Sequence, residues 1–328
     1  MKPFAFAEPG NLDEAVALLA EGDSRAIAGG SDLLGELKEG TAHFGRLVSL
    51  AHIAELRSVR AAEGGLRIGA GVTLAALESE RRLRGPFGIL AEAARGVATP
   101  EIRNQGTLGG NLCQRPRCLH YRSPWLACVK KGGTGCPARD SEHQPYLSVM
   151  GGERCWAVNA SDLAPALLAL GASACVHGPG GERVLALADF FAGPERDPTR
   201  ETVLGPDELL SAVLLPSQPK RWQGTYLKAR ERTAGDFPLV SVAFGCQVSR
   251  GRIRDARLVL GGVAPVPWPC PDAAELLEGA RPDAELPSHV AAAAFGHAMP
   301  LARNGYKVDL GRALVARAIA QVLAQASA

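Results

Sequence analysis

The sequence predicts an α+β protein of two domains, on three observations. The chain has 328 residues, more than one ordinary domain holds. Apolar residues make up 46% and charged residues 21%, the balance of a folded globular chain rather than a disordered or fibrous one. A composition break near Pro216, Pro219, Lys220 and Arg221 divides a region of mixed strand and helix pattern from one in which strands precede helices. The expected domains are 1–218, itself divided at about 56 into subdomains 1–56 and 57–218, and 219–328.

Each element has its own signal. Asn11 to Glu21 reads as a helix, with Asn11 or Asp13 able to cap it and Leu12, Val16 and Leu19 on one face. Arg25 to Leu34 is a short apolar strand that ends in a glycine pair and runs into a polar cap. Leu47-Val48-Ser49-Leu50 is a second strand, so the first 55 residues form a small β/α unit. Leu66 to Val72 opens a second unit, which continues through a helical segment near Gly88 to Gly96 to the glycine-rich turn Gly106 to Asn111. Apolar order resumes at Leu163 to Ala172. Beyond the break, Tyr226 to Arg230, Val240 to Val248 and Ala256 to Val263 alternate like strands, and Val308 to Ala326 is an amphipathic helix.

Composition excludes several function classes. Thirty-six basic against 34 acidic side chains give +2, which offers no bulk attraction for nucleic acid, and 5% aromatics leave few stacking platforms. Leu163 to Val176, the longest nearly charge-free apolar stretch, has 14 residues and contains Pro165, too little to insert into a membrane. Met1-Lys2-Pro3 leads into an ordinary pattern with no secretion signal. The expected location is therefore cytoplasmic, or periplasmic by co-export with a partner. Neither a G-x-S-x-G nor an H-E-x-x-H sequence is present, so hydrolase chemistry has little support.

Two glycine turns suggest a phosphate site. Paired glycines after a strand let backbone approach a ligand, and a following helix start points unpaired N–H groups at an anion. Gly29-Gly30-Ser31-Asp32 fits that logic, and so does Gly109-Gly110-Asn111 after Gly106-Thr107. Either could equally be an ordinary tight turn, and neither is a G-x-G-x-x-G or P-loop sequence. Together with Ile27-Ala28 and Leu33, with Ile102-Arg103-Asn104-Gln105 before the second turn, and with Ser161-Asp162 before an apolar helix, they resemble the FAD-binding subunit of molybdenum hydroxylases. The resemblance extends to Tyr226-Leu227-Lys228-Ala229-Arg230, Asp236-Phe237-Pro238, Leu260 to Pro265 and Asn304-Gly305-Tyr306-Lys307-Val308. It implies a two-subdomain FAD-binding fold of the vanillyl-alcohol oxidase/CO dehydrogenase flavoprotein type with a C-terminal α+β domain. It also implies FAD contacts at Ile27, Ala28, Gly29, Gly30, Ser31, Asp32, Leu33, Arg103, Asn104, Gly106, Thr107, Gly109, Gly110 and Asn111. Asp162 matches the acid near the ribityl or adenosine portion, and Lys228 the base near the flavin. From the residues alone, Asp162 reads equally as a helix cap and Lys228 as a solvated strand residue.

Five of the eight cysteines fall between Cys113 and Cys155, while Cys175, Cys246 and Cys270 are scattered like small core residues. Residues 112–160, 49 in all, lie between Asn111 and Ser161, too many for a plain connection. Cys118, Cys128, Cys136 and Cys155 could supply four thiolates for a 4Fe–4S cluster or a zinc ion. The spacing C-x9-C-x7-C-x18-C lacks the C-x-x-C pair of most zinc modules, and it also departs from ferredoxin spacing. Seven basic against three acidic side chains give this window a local +4, compatible with an anionic cluster or with solvated loop charge. The run Gln114 to Arg122 resembles the extra loop of 4-hydroxybenzoyl-CoA reductase and periplasmic aldehyde oxidoreductase flavin subunits, which carries a 4Fe–4S cluster. That resemblance implies the ligand set above, with Cys113 left as a spare thiol; because four cysteines already complete a site, His120 and His143 read as surface residues.

The implied function is an electron-transfer subunit that holds FAD and a 4Fe–4S cluster. Its partners would be a molybdenum-cofactor large subunit, a 2Fe–2S small subunit and an external electron acceptor or donor. No residue of this chain is implied to act catalytically on substrate. Two other readings stand beside it: a self-contained FAD-dependent dehydrogenase, and a non-catalytic four-thiolate metal scaffold.

Overall fold

The computed structural model describes residues 1–62 and 64–327. Glu63 and Ala328, which fall inside the expected second subdomain and C-terminal domain, lie outside the described residues.

The chain begins as a β/α unit: β1 (Ala5–Ala7), α1 (Leu12–Ala20), β2 (Ser24–Ile27), α2 (Leu33–Glu39) and β3 (Arg46–Ser49). The strands form a parallel sheet in the order β1-β3-β2. Asn11 starts α1 by accepting the Glu14 N–H at 2.9 Å, and the Glu14 carboxylate accepts from the Asn11 side chain and the Gly10 N–H in return. A reciprocal cap of this kind contributes about 1 kcal/mol. Leu12, Val16 and Leu19 are buried, as their spacing requires. Asp32 stands at the N-terminal capping position of α2, but its side chain makes no capping hydrogen bond, contrary to the polar cap expected there.

The second region runs through β4 (Val59–Ala62), β5 (Gly65–Gly69), α3 (Leu74–Ser79), α4 (Gly88–Gly96), α5 (Pro100–Gln105), α6 (Leu108–Leu112) and α7 (Leu119–Arg122). It continues with α8 (Leu163–Ala169), β6 (Ser173–Gly178), β7 (Gly181–Ala186), α9 (Leu187–Phe190) and β8 (Leu209–Pro216). Its five-stranded sheet is antiparallel, in the order β4-β5-β8-β6-β7. Gly109, Gly110 and Asn111 lie inside the short helix α6 rather than in an open turn, because Thr107 Oγ1 accepts the Gly110 N–H and starts a helical turn.

The C-terminal region comprises β9 (Gln223–Ala229), β10 (Val240–Ser249), β11 (Arg252–Gly261), β12 (Trp268–Pro269), α10 (Pro271–Glu275), α11 (Leu286–Ala294) and α12 (Tyr306–Ser327). Its strands form an antiparallel sheet in the order β12-β11-β10-β9. The sheet is buried on both faces. Val240, Val242, Phe244 and Cys246 of β10 pack into the core under α11 and α12, while Ala243, with Tyr226 of β9 and Val259 of β11, joins the core of the preceding region. Alternation of side chains along each strand therefore welds the C-terminal sheet to α4 and α8. Among the described residues, no helix is long and apolar enough to cross a membrane.

Candidate functional site

A cavity of about 430 Å³ opens between the N-terminal β/α unit and the five-stranded sheet. Ala28 and Gly29 form one wall; Asn104, Thr107, Gly109 and Gly110 form another; the segment from Arg200 to Leu210 closes a third. The two glycine segments touch each other. A Cβ on Gly29 would overlap the Gln105 carbonyl, and one on Gly109 would lie 2.8 Å from Ala70 Cβ. Chain-on-chain approach thus already requires these two glycines. Gly30 has φ +70°, a conformation open to glycine at no cost. In α6 the Leu108, Gly109 and Asn111 N–H groups donate to Val72, Ala70 and Thr107 carbonyls, so internal acceptors serve this turn.

The other residues expected at this site have internal roles as well. Ile27 is buried with Leu37 and Leu47 in a small core against which Leu33 packs. Ser31 lies against Gly106. Arg103 donates to Glu78 at 3.1 Å and to the Val97 carbonyl at 3.0 Å, so it braces α5 against α3. Asn111 Oδ1 accepts the Ser161 hydroxyl at 2.6 Å, which ties α6 to the start of α8.

Asp162 and Lys228 meet. Lys228 Nζ donates to Asp162 Oδ2 at 2.8 Å, with both side chains almost wholly buried (5% and 2% exposed). The Tyr226 hydroxyl donates to the other carboxylate oxygen. Lys228 also donates to the Gly96 carbonyl, as does Arg230. Burial pushes the Asp162 carboxyl up, against the pull of Lys228 and Tyr226, and pushes the Tyr226 phenol up too. The helix-cap reading of Asp162 is replaced: Ser161 Oγ accepts the Ala164 N–H, while Asp162 makes no capping bond. Lys228 is likewise no solvated residue.

The cysteine window is built as two legs. Cys118, Cys128 and Cys155 are buried with Tyr121, Ala138, Leu147 and Ala157, and Cys136 packs against them. Cys118 lies within electrostatic reach of Cys136 and Cys128, and Cys155 of Cys136 and Cys118. Burial pushes the Cys118 thiol up and the Cys155 thiol up to about 11. Cys113 stands apart, lining the cavity beside Arg25, with its thiol pushed up to about 12 by burial. His143 is exposed and His120 half-buried. Among the described residues, no three Cys, His, Asp or Glu groups converge on one ion-sized point.

Four of the window's seven basic residues are engaged by carboxylates, while Arg139 and Arg154 stay exposed. Arg117 and Arg122 pair with Asp32, which also accepts the Arg115 N–H at 2.7 Å. Arg115 and Lys130 share Glu201, and the Tyr121 hydroxyl donates to Glu36. Burial pushes Asp32 up, but Arg117 and Arg122 outweigh it and hold the carboxyl below its ordinary value; Glu36 stays raised by burial. Four basic residues of the window therefore dock it onto α2 and the cavity wall.

The family profile described as the FAD binding domain in molybdopterin dehydrogenase matches residues 2–218, and that of the CO dehydrogenase flavoprotein C-terminal domain matches 225–322. The chain is an FAD-binding medium subunit of the molybdenum hydroxylase family. It is 34% identical over 331 residues to the aldehyde oxidoreductase FAD-binding subunit PaoB of Escherichia coli, covering 99% of this chain and 100% of that one. It is 27% identical to the carbon monoxide dehydrogenase medium chain of Afipia carboxidovorans, covering 98% of each. Among solved structures, carbon monoxide dehydrogenase from Hydrogenophaga pseudoflava superposes with a TM-score of 0.79 at 26% identity, covering 99% of both chains. Quinoline 2-oxidoreductase from Pseudomonas putida gives 0.77 at 25%, with the same coverage. The relatives are subunits of oxidoreductases, and this flavoprotein is an enzyme subunit of that class.

Sequence reasoning missed Tyr226 as a partner of Asp162, although it precedes Lys228 by two positions and so shares its strand face. It also missed Arg25, Arg57 and Arg200, which line the cavity. Of the three, Arg200 also acts electrostatically on Asp197 and Glu208, so its charge is partly engaged by neighbouring carboxylates. The separation of the three arginines in sequence leaves no motif to find.

Proposed function

We propose that this flavoprotein subunit holds FAD and a 4Fe–4S cluster and passes electrons between the 2Fe–2S centres of a small subunit and an external acceptor or donor. Substrate oxidation would occur on a molybdenum-cofactor large subunit. The relatives' names place aldehyde oxidation, carbon monoxide oxidation and heteroaromatic hydroxylation in the same class, and the medium-chain names speak for heteromeric assembly.

Several features support the flavin site. Ala28, Gly29, Asn104, Thr107, Gly109 and Gly110 bring backbone and small side chains to the cavity wall, and Arg25, Arg57 and Arg200 offer positive charge to phosphates. The Gly30, Ser31 and Asp32 N–H groups, which follow the cavity-lining Gly29, have no acceptor among the described residues and would be free to donate to a pyrophosphate. Asp162 and Lys228, locked together and to Gly96, would fix a polar edge beside the flavin. FAD supplies interconversion between one- and two-electron transfer. The division into 1–218 (subdomains 1–56 and 57–218) and 219–328 belongs to this reading, with the cavity at the seam of the first two.

The single observation that carries the cluster is the gathering of Cys118, Cys128 and Cys155 in one buried group with Cys136 half-buried against it, and Cys113 elsewhere. In a four-iron cluster each thiolate binds a different iron, so its sulfurs need not converge on one point as zinc ligands do. The donor set fits the cluster in number and chemistry, and three of its four members are secluded from water. Cys128→Ser should abolish the iron–sulfur absorption while leaving FAD bound; a full cluster signal in that variant contradicts the ligand set.

A further inference from the structure

The two legs of the cysteine window are fastened to different parts of the molecule. The outgoing leg, 115–131, is held by α2 through Asp32, Glu36 and Glu39, and by Glu201. The return leg, 144–159, is held by the C-terminal region. Lys307 Nζ donates to the Pro145, Leu147 and Gly262 carbonyls at 3.0, 2.9 and 2.6 Å. Asn304 Nδ2 donates to Leu147 and Ser148, the Arg303 N–H donates to Gln144, and the Val149 and Met150 N–H groups donate to the Val263 carbonyl. Cys118 and Cys128 belong to the first leg and Cys155 to the second, with Cys136 in the tip between them.

What joins leg to leg is slight. Phe237, between β9 and β10, is flanked by Arg117 of the outgoing leg at 4.5 Å and by the Tyr146 ring of the return leg at 6.3 Å. Lys130 of the outgoing leg lies within electrostatic reach of Cys155 of the return leg, and the legs also meet in the small buried cluster in which Cys118, Cys128 and Cys155 are three of seven members. Thiols thus form much of the joint themselves, and uncharged thiols make weak contacts.

We infer that metal held by these four cysteines is a latch that ties the N-terminal β/α unit, through α2, to the C-terminal domain. The inference rests on the ligand set proposed above. Three covalent bonds from the legs and a fourth from the tip to one cluster would make the window a closed brace beside the cavity, whereas without metal it would be two independently anchored arms. Loss of metal then loosens both anchors, not the tip alone.

Hydrogen exchange on the full chain, read by mass spectrometry, tests the latch. The protein as purified anaerobically is compared with the same protein after ferricyanide and EDTA treatment, and with Cys136→Ser, which alters the least buried ligand. Iron is assayed in each. The latch predicts that exchange rises about tenfold both in 33–39 of α2 and in 303–307 once iron is lost, with β10 and β11 unchanged as the internal control. Iron loss with a rise confined to 113–158, or with no rise, overturns the latch while leaving the ligand set standing. Absence of iron from the anaerobic wild-type protein overturns both.

Discussion

Asp162 and Lys228 show how a buried charge pair acts at the scale of single residues. Two ions removed from water gain little over an apolar pair, but removing one leaves the other stranded. Asp162→Asn should therefore destabilise the protein by about 3 kcal/mol, and Lys228→Met added to it should recover most of that loss. Thermal unfolding of both variants checks this, and an unchanged melting temperature in Asp162→Asn would contradict it. Asp32 makes a pH-dependent claim. Its carboxyl is held below the ordinary 3.8. A depressed acid stabilises the fold fully above its ordinary value and loses that contribution as pH falls through the folded value. Asp32→Asn should thus cost about 3 kcal/mol at pH 7, with the difference from wild type shrinking below pH 3.8. Urea unfolding of both proteins at neutral and acid pH measures it; a difference that grows on acidification would refute the assignment. The sequence showed Asp32, Asp162 and Lys228 as motif members, but not their partners. Asp32 reaches Arg117 across 85 positions and Asp162 reaches Lys228 across 66, and no local pattern encodes such pairs.

At the scale of elements, legibility followed periodicity. The helices α1, α4 and α12 were visible because each must bury one stripe, and β9, β10 and β11 because alternating faces meet two different cores. The hairpin β6–β7 and the strand β8 were not found. Leu209 to Leu215 is apolar almost throughout and buried nearly end to end, so it carries no period to read. Strand β1 is three residues long, below any pattern. The Asn304-Gly305-Tyr306-Lys307 sequence stood out only by resemblance, and the structure gives it a task. Burial pushes Lys307 down to about 7, while three carbonyls match the three N–H donors of its ammonium. Lys307→Met leaves those carbonyls without their donor and should cost about 3 kcal/mol in chemical denaturation. A variant as stable as wild type would show that the strut carries no load.

For the whole molecule, the uneven placement of cysteines proved more informative than their number. Clustering along the chain was legible in the sequence; in the fold Cys118, Cys128 and Cys155 are buried together with Cys136 half-buried against them, and Cys113 lines the cavity. The local +4 was legible as a number but not as a function, because its partners Asp32, Glu36 and Glu201 lie outside the window. A medium subunit should also depend on its neighbours: co-expression with large and small subunits is expected to yield a stable complex by size-exclusion chromatography. Full activity from this chain alone would contradict heteromeric assembly. The central claim, one flavin and one four-iron cluster in a single chain, is tested most directly by anaerobic purification followed by an absorption spectrum with flavin, iron, sulfide and zinc assays. The account predicts one FAD with about four irons and four sulfides per chain; FAD accompanied by zinc, or by no metal, would contradict it.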